Sequence, residues 1–138
     1  MMNDGENASV NVRGISWVGV KTSKFEEMNR FVSRVMGFNS FAESRDFRAF
    51  RLPNGDKFEL FGPAGPDPPE QFARNKVEAG FLVDDIDRAR KELVSAGIEL
   101  IGPLVRDKDG YAWQHFRAPD GNAYELTYDP GQLGKPGS

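Results

Sequence analysis

Cysteine is absent from the 138 residues, and histidine occurs once. The first absence excludes a disulfide framework, a thiolate-held zinc or iron–sulfur centre and a thiol nucleophile. The second excludes any site that needs two imidazoles from one chain. A basic excess is missing too: 18 Lys+Arg stand against 21 Asp+Glu, a net charge of -3. Nucleic-acid-binding domains usually carry a basic stripe, so that partner class is not expected. No apolar run approaches the ~18–20 residues of a membrane span. The opening stretch MMNDGENASVNVRG has no apolar signal core. The expectation is a cytoplasmic protein with no membrane partner. P-loop, GxGxxG and G-x-S-x-G elements are missing, which leaves nucleotide cradling and serine hydrolysis without support. What is present is enough apolar side chain for a core. Leu, Ile, Val and Phe make up 33 of 138 residues, above the composition of disordered chains, in a length that suits one domain.

The chain repeats itself. RLPNGDKFELF (Arg51 to Phe61) and RAPDGNAYELT (Arg117 to Thr127) share five of eleven positions. Upstream, WVGV (Trp17 to Val20) parallels EAGF (Glu78 to Phe81). Two copies are too few for a solenoid, so two halves must build one core. Each half reads as strand, helix, three strands. In the first, Ile15–Val20 is a strand, and Ser23-Lys24-Phe25-Glu26 has the form of a capping box. Phe25, Met28, Phe31, Val32 and Val35 follow at helical spacing to a stop at Gly37. Strands are expected near Asn39–Glu43, Phe47–Leu52 and Lys57–Phe61. In the second, Ala79–Val83 leads to a helix capped by Asp84 or Asp85, carrying Ile86, Ala89, Leu93 and Ala96 and ended by Gly97. Strands near Glu99–Ile101, Ala112–Ala118 and Ala123–Tyr128 complete it. The organisation is a flexible tail over 1–13, one module over 14–62, a Pro/Gly-rich linker over 63–76, a second module over 77–129 and a flexible tail over 130–138.

The hairpin turn centred on Asp120 places Glu125 opposite His115 and Thr127 opposite Trp113. By the alternation of side chains along a strand, Trp113, His115, Arg117, Ala123, Glu125 and Thr127 share a face. Phe47, Ala49, Arg51, Lys57, Glu59 and Phe61 share the corresponding face of the first half. The opposite faces are more apolar and suit the helices. On the first strand of each half, Trp17, Gly19, Lys21, Glu78, Gly80 and Leu82 fall on the mixed side. Two curved sheets joined edge to edge would enclose these mixed faces as a cavity. The fold class expected is α+β: two βαβββ modules forming a curved, half-open sheet barrel with helices outside.

The order and spacing of the WVGV-to-helix opening, GFLVDDIDRARKELVSAGIEL, PNGDKFELF and APDGNAYELT resemble the vicinal oxygen chelate superfamily. That superfamily includes glyoxalase I, bleomycin-resistance proteins and extradiol dioxygenases. The likeness spans Val12 to Asp129. It implies a cavity between paired modules and, commonly, a homodimer. It also implies a metal held by His or Gln on the first strand, Glu on the fourth, His on the fifth and Glu on the eighth. Those positions fall here at Trp17, Glu59, Glu78 and Glu125. Both glutamates are kept. Indole replaces the first ligand and carboxylate the third.

The candidate site residues follow. Glu125 with His115 is a candidate proton-transfer pair. Glu59 and Glu125 are candidate metal ligands, with Glu78 and His115 as further ones. Trp17, Phe47, Arg51, Phe61, Glu78, Trp113 and Arg117 are candidate ligand-binding residues, the aromatics as a stacking wall. Carboxylates converging in a low-dielectric space must take up protons or meet a cation. Three readings stand: a small-molecule-binding protein of bleomycin-resistance type without the family metal; a glyoxalase-like lyase or isomerase, or a dioxygenase-related enzyme; and a protein-interaction module. The cofactor is a divalent ion (Mg, Mn, Zn, Fe or Ni) or none, and the scarcity of nitrogen ligands favours none.

Overall fold

The computed structural model describes residues 10–72 and 75–134. Its elements run β1 (Val12–Lys21), α1 (Phe25–Arg30), β2 (Asn39–Ser44), β3 (Phe47–Arg51), β4 (Lys57–Phe61), β5 (Val77–Val83), α2 (Ile86–Ser95), β6 (Glu99–Arg106), β7 (Ala112–Arg117), β8 (Ala123–Tyr128) and α3 (Pro130–Leu133). The strands form one mixed, open sheet in the order β2-β3-β4-β1-β5-β8-β7-β6. Within each half the first strand lies parallel to the last: β1 on β4, and β5 on β8. The halves join where β1 meets β5 antiparallel. This is the α+β arrangement of two βαβββ units expected from the repeat.

Each half buries its helix-side face in its own cluster. In the first, Val32, Phe50 and Leu60 are buried, with Val20, Phe25, Met28, Phe38 and Phe58 packed around them. In the second, Val83, Ile86, Ala89, Ala112, Phe116 and Leu126 are buried. Full burial of a Phe or Leu side chain contributes about 1.5–3 kcal/mol. These clusters hold the helices on one side and leave the other side of the sheet free to line a cavity.

Local departures from expectation have physical causes. The N-cap of α1 is Lys24, without a side-chain cap bond. The helix starts one residue too late for Ser23 and Glu26 to take the capping-box positions, and the Lys24 amide donates to Thr22 Oγ1 instead. After Arg30 the helix widens into a π-turn over Phe31–Val35, where the Met36 amide reaches the Phe31 carbonyl. The extra residue per turn rotates Phe31 and Val35 out of the core into solvent. Ala96 also ends exposed. Asp85 caps α2, accepting from the Arg88 amide at 3.0 Å. β6 is longer than expected because its pairing with β7 resumes beyond an irregularity between Ile101 and Val105. Fully buried Gln114 supports that stretch, donating to the Ile101 and Gly102 carbonyls and accepting from Arg90 Nε.

The expected tails are shorter where they are described. Val12 and Arg13 belong to β1, which pairs as far as Val83; residues 1–9 lie outside the described residues. Residues 130–133 form a helical turn capped by Asp129, with Gln132 buried and donating to Asp56 Oδ1 at 2.7 Å. Residues 135–138 lie outside the described residues.

Candidate functional site

The concave side of the sheet encloses a cavity of about 430 Å3. Its floor comes from strand positions of both modules. Phe47↔Phe61 and Ala49↔Glu59 pair across β3–β4. Trp113↔Thr127 and His115↔Glu125 pair across β7–β8. Trp17, Phe47, Phe61 and Trp113 make an aromatic wall, and Glu59 and Glu125 reach in beside them. These are the sheet-face assignments read from alternation and the hairpin turns.

The lining residues not singled out in the sequence include Tyr111, Glu70, Pro66 and Pro68. The last three belong to the Pro/Gly-rich connector, which contains no helix or strand among its described residues and runs over the cavity. The connector is pinned by Lys21 Nζ to Asp67 Oδ1 at 2.7 Å and by Phe72, whose ring centroid lies 5.2 Å from that of Phe61. Its prolines between two modules were the available signal. Tyr111 precedes β7, 5.7 Å from Trp113, and the Lys57 ammonium sits 3.3 Å from its ring centroid.

Three expected ligand-binding residues do not line the cavity: Glu78, whose side chain is fully buried, Arg51 and Arg117. Arg51 Nη1 donates to the Gly55 carbonyl, and Arg117 Nη1 to the Gly121 carbonyl. At equivalent positions of the repeat each guanidinium ties down its own hairpin turn. Arg51 also stacks on Phe41, and Arg117 faces Glu99 at 3.7 Å.

Behind Glu125 lies a buried cluster. His115 Nε2 is 3.0 Å from Glu125 Oε2 and 3.5 Å from Glu78 Oε1. The side chains of His115 and Glu78 are 1% and 0% exposed. Neither contact is aligned as a hydrogen bond, so His115 Nε2 and both Glu78 oxygens have no aligned partner. Burial alone would lower the His115 imidazole, but contact with Glu125 and Glu78 and their negative charge raise it to about 10. Burial pushes the Glu125 carboxyl up to about 7, against the pull of His115. Glu59 is also raised by burial, opposed by a hydrogen bond from the Trp17 indole and by the charge of Lys57. Lys57 itself is lowered by its burial.

Comparison with known proteins bears on this geometry. The model of the Glyoxalase/Bleomycin resistance protein/Dioxygenase superfamily matches residues 14–126. The chain belongs to this superfamily. Among solved structures, the Mn(II)-bound glyoxalase from Novosphingobium aromaticivorans superposes with a TM-score of 0.68 at 19% identity, over 86% of this chain and 39% of that one. Methylmalonyl-CoA epimerase from Mycobacterium tuberculosis gives 0.63 at 15% identity, over 98% and 97%. A superfamily member from Vibrio splendidus gives 0.61 at 18%, over 86% and 100%. No curated protein matches significantly. At these identities the structural likeness establishes the fold.

Against the superfamily's metal pattern, the first position fails chemically. The indole nitrogen of Trp17 has no in-plane lone pair to give and can act only as a donor. The repeat puts Trp17 and Glu78 at equivalent places, two residues before Gly19 and Gly80, which pair with Glu59 and Glu125. The set Trp17/Glu59/Glu78/Glu125 therefore does not fit the superfamily's usual ion.

Proposed function

We propose that the protein binds a small organic cation with a flat or apolar part, in the bleomycin-resistance manner and without the superfamily's usual metal. The observation that carries this is the composition of the cavity wall. Three carboxylates, Glu59, Glu70 and Glu125, line it with five aromatic rings, and no basic side chain lines it among the described residues. Carboxylates in so apolar a space favour a positive guest. Aromatic faces attract one by about 0.5–2 kcal/mol each, more when desolvated. Lys57 resting on Tyr111 displays the same contact within the protein. The exposed apolar side chains Phe31, Val35 and Met36 support a second copy as partner, to be read by light scattering.

The test uses an isosteric pair, phenyltrimethylammonium and tert-butylbenzene. Trp17 and Trp113 are the chain's two tryptophans and both line the cavity, so their fluorescence reports occupancy. The charged probe is expected to bind at least tenfold tighter, and Glu59→Gln or Glu125→Gln to weaken it roughly tenfold, ~1.4 kcal/mol. Equal affinity for both probes would refute the reading.

A second reading is supported by Glu125 alone. A buried carboxyl near 7 facing a cavity suits proton removal from carbon next to a carbonyl. That is an isomerase or lyase role with Glu125 as base and His115 beside it. Exchange of a substrate C–H proton into deuterated water, abolished in Glu125→Gln, is its signature.

A further inference from the structure

The cluster Glu78, His115 and Glu125 is unexplained by ligand binding in the cavity. Its three donor atoms lie within 4.8 Å of one another, on the adjacent strands β5, β8 and β7. His115 Nε2 and both Glu78 oxygens are buried and lack an aligned partner, a costly state for polar atoms. We propose that Glu78, His115 and Glu125 form a divalent-metal site that keeps the fifth- and eighth-strand positions of the superfamily's pattern but abandons those of β1 and β4, the β7 imidazole supplying the nitrogen that β1 and β5 lack.

Two observations bear on this. The first is spacing. Donors each about 2.1 Å from one ion stand roughly 3.0–3.4 Å apart, and the imidazole nitrogen stands 3.0 and 3.5 Å from the two carboxylate oxygens. The second is charge. Two carboxylates with a protonated imidazole leave one negative charge in a dry interior. Two carboxylates with a neutral imidazole balance a dication. One nitrogen and two carboxylates suit a first-row ion such as Zn2+, Co2+ or Mn2+. The site meets the cavity through Glu125, which lines it. Glu59, a ligand in the superfamily's pattern, is outside the cluster.

The metal and the organic cation compete for one residue, since a dication on Glu125 would use up a carboxylate of the cavity wall. Organic-cation binding is therefore measured on stripped protein, and the test of the metal site reads metal directly. Protein stripped with chelator is titrated with Zn2+ and Co2+ by calorimetry, with Co2+ absorption as a second signal. One ion per chain is expected. His115→Gln and Glu78→Gln should each weaken binding at least 100-fold, and Glu59→Gln should change it less than threefold. Failure of the folded, stripped protein to bind either ion would overturn the proposal. So would loss in Glu59→Gln with retention in His115→Gln. If the His115 variant does not fold, the wild type still decides. With one histidine in the chain, a 15N-histidine spectrum has a single ring system. Zn2+ should shift its Nε2 resonance, and an unmoved resonance would mean that the imidazole only pairs with the carboxylates.

Discussion

Glu125 stands at the boundary between the cavity and the buried imidazole, and its titration couples both to pH. In the metal-free protein two shifts act in the same direction. His115 is raised from 6.5 to about 10. Its contribution to stability is present in full below pH 6.5 and is lost as pH rises through 10. Glu125 is raised from 4.5 to about 7. Folding favours its neutral form, so its contribution is present below pH 4.5 and is lost as pH rises through 7. Denaturant unfolding should therefore show stability falling between pH 4.5 and 10. Glu125→Gln should flatten the part below pH 7. A stability that climbs over that interval would contradict the assignment. Binding of a permanent cation should run the other way, tightening from pH 6 to 8 as Glu125 ionises. Of the individual residues, Glu59, Glu125, Trp17, Phe47, Phe61 and Trp113 were legible from strand alternation, whereas Glu70 and Tyr111 lie outside the strands and carried no such signal. The ends of Arg51 and Arg117 were not legible either, because alternation gives the face of a strand residue but not how far a long guanidinium bends back to its turn.

At the scale of the element, the two main helices differ in a way that local sequence hides. Ser23 and Asp85 both head a plausible cap, yet only Asp85 makes the bond. Asp85→Ala should cost about 1 kcal/mol, and Ser23→Ala only a few tenths, measured by denaturant midpoint. Comparable losses at both positions would show that the α1 start lies at Ser23 after all. The π-turn after α1 was equally hidden. Helical spacing grouped Phe31 and Val35 with Phe25, Met28 and Val32, but one added residue per turn rotates them into solvent, and apolar pattern alone does not count residues per turn. Strand lengths were legible where Pro-Asn-Gly or Pro-Asp-Gly turns bound them, as at Lys57–Phe61 and Ala123–Tyr128. β6 was read short because Gly102 and Pro103 look like its end, whereas Gln114 braces the chain through them and pairing resumes.

For the whole molecule, duplication was the most informative feature of the sequence, since an eleven-residue match fixes two hairpins and their equivalence at once. The joining of the halves through β1 and β5 follows from it, as each half leaves its first strand with a free edge. Contacts between distant segments carry no such signature. The connector over the cavity is one. The reach of Gln132 to Asp56, 76 positions apart, is another, and it ties the end of the second module to a turn of the first. Gln132→Ala should lower stability by about 1–2 kcal/mol, through a buried bond lost to a charged partner. Faster amide exchange at the turn around Gly55, whose Cα lies against that side chain, would accompany it; unchanged exchange there would mean that the two modules are not coupled at this point.

The indole of Trp17 lies across two glycines. A Cβ on Gly19 would collide with its ring, and one on Gly80 would come within 3.1 Å of its Cβ. Three positions on two strands are thus committed to one another. Replacing Trp17 by histidine would return a nitrogen to the superfamily's first ligand position, but over bare backbone and with a ring-sized gap beside it. Adding side chains at 19 or 80 first would be blocked by the indole still present. No single substitution leads back, so any descendant of this chain that takes up metal through its sheet has an easier road through His115 than through the place its relatives use.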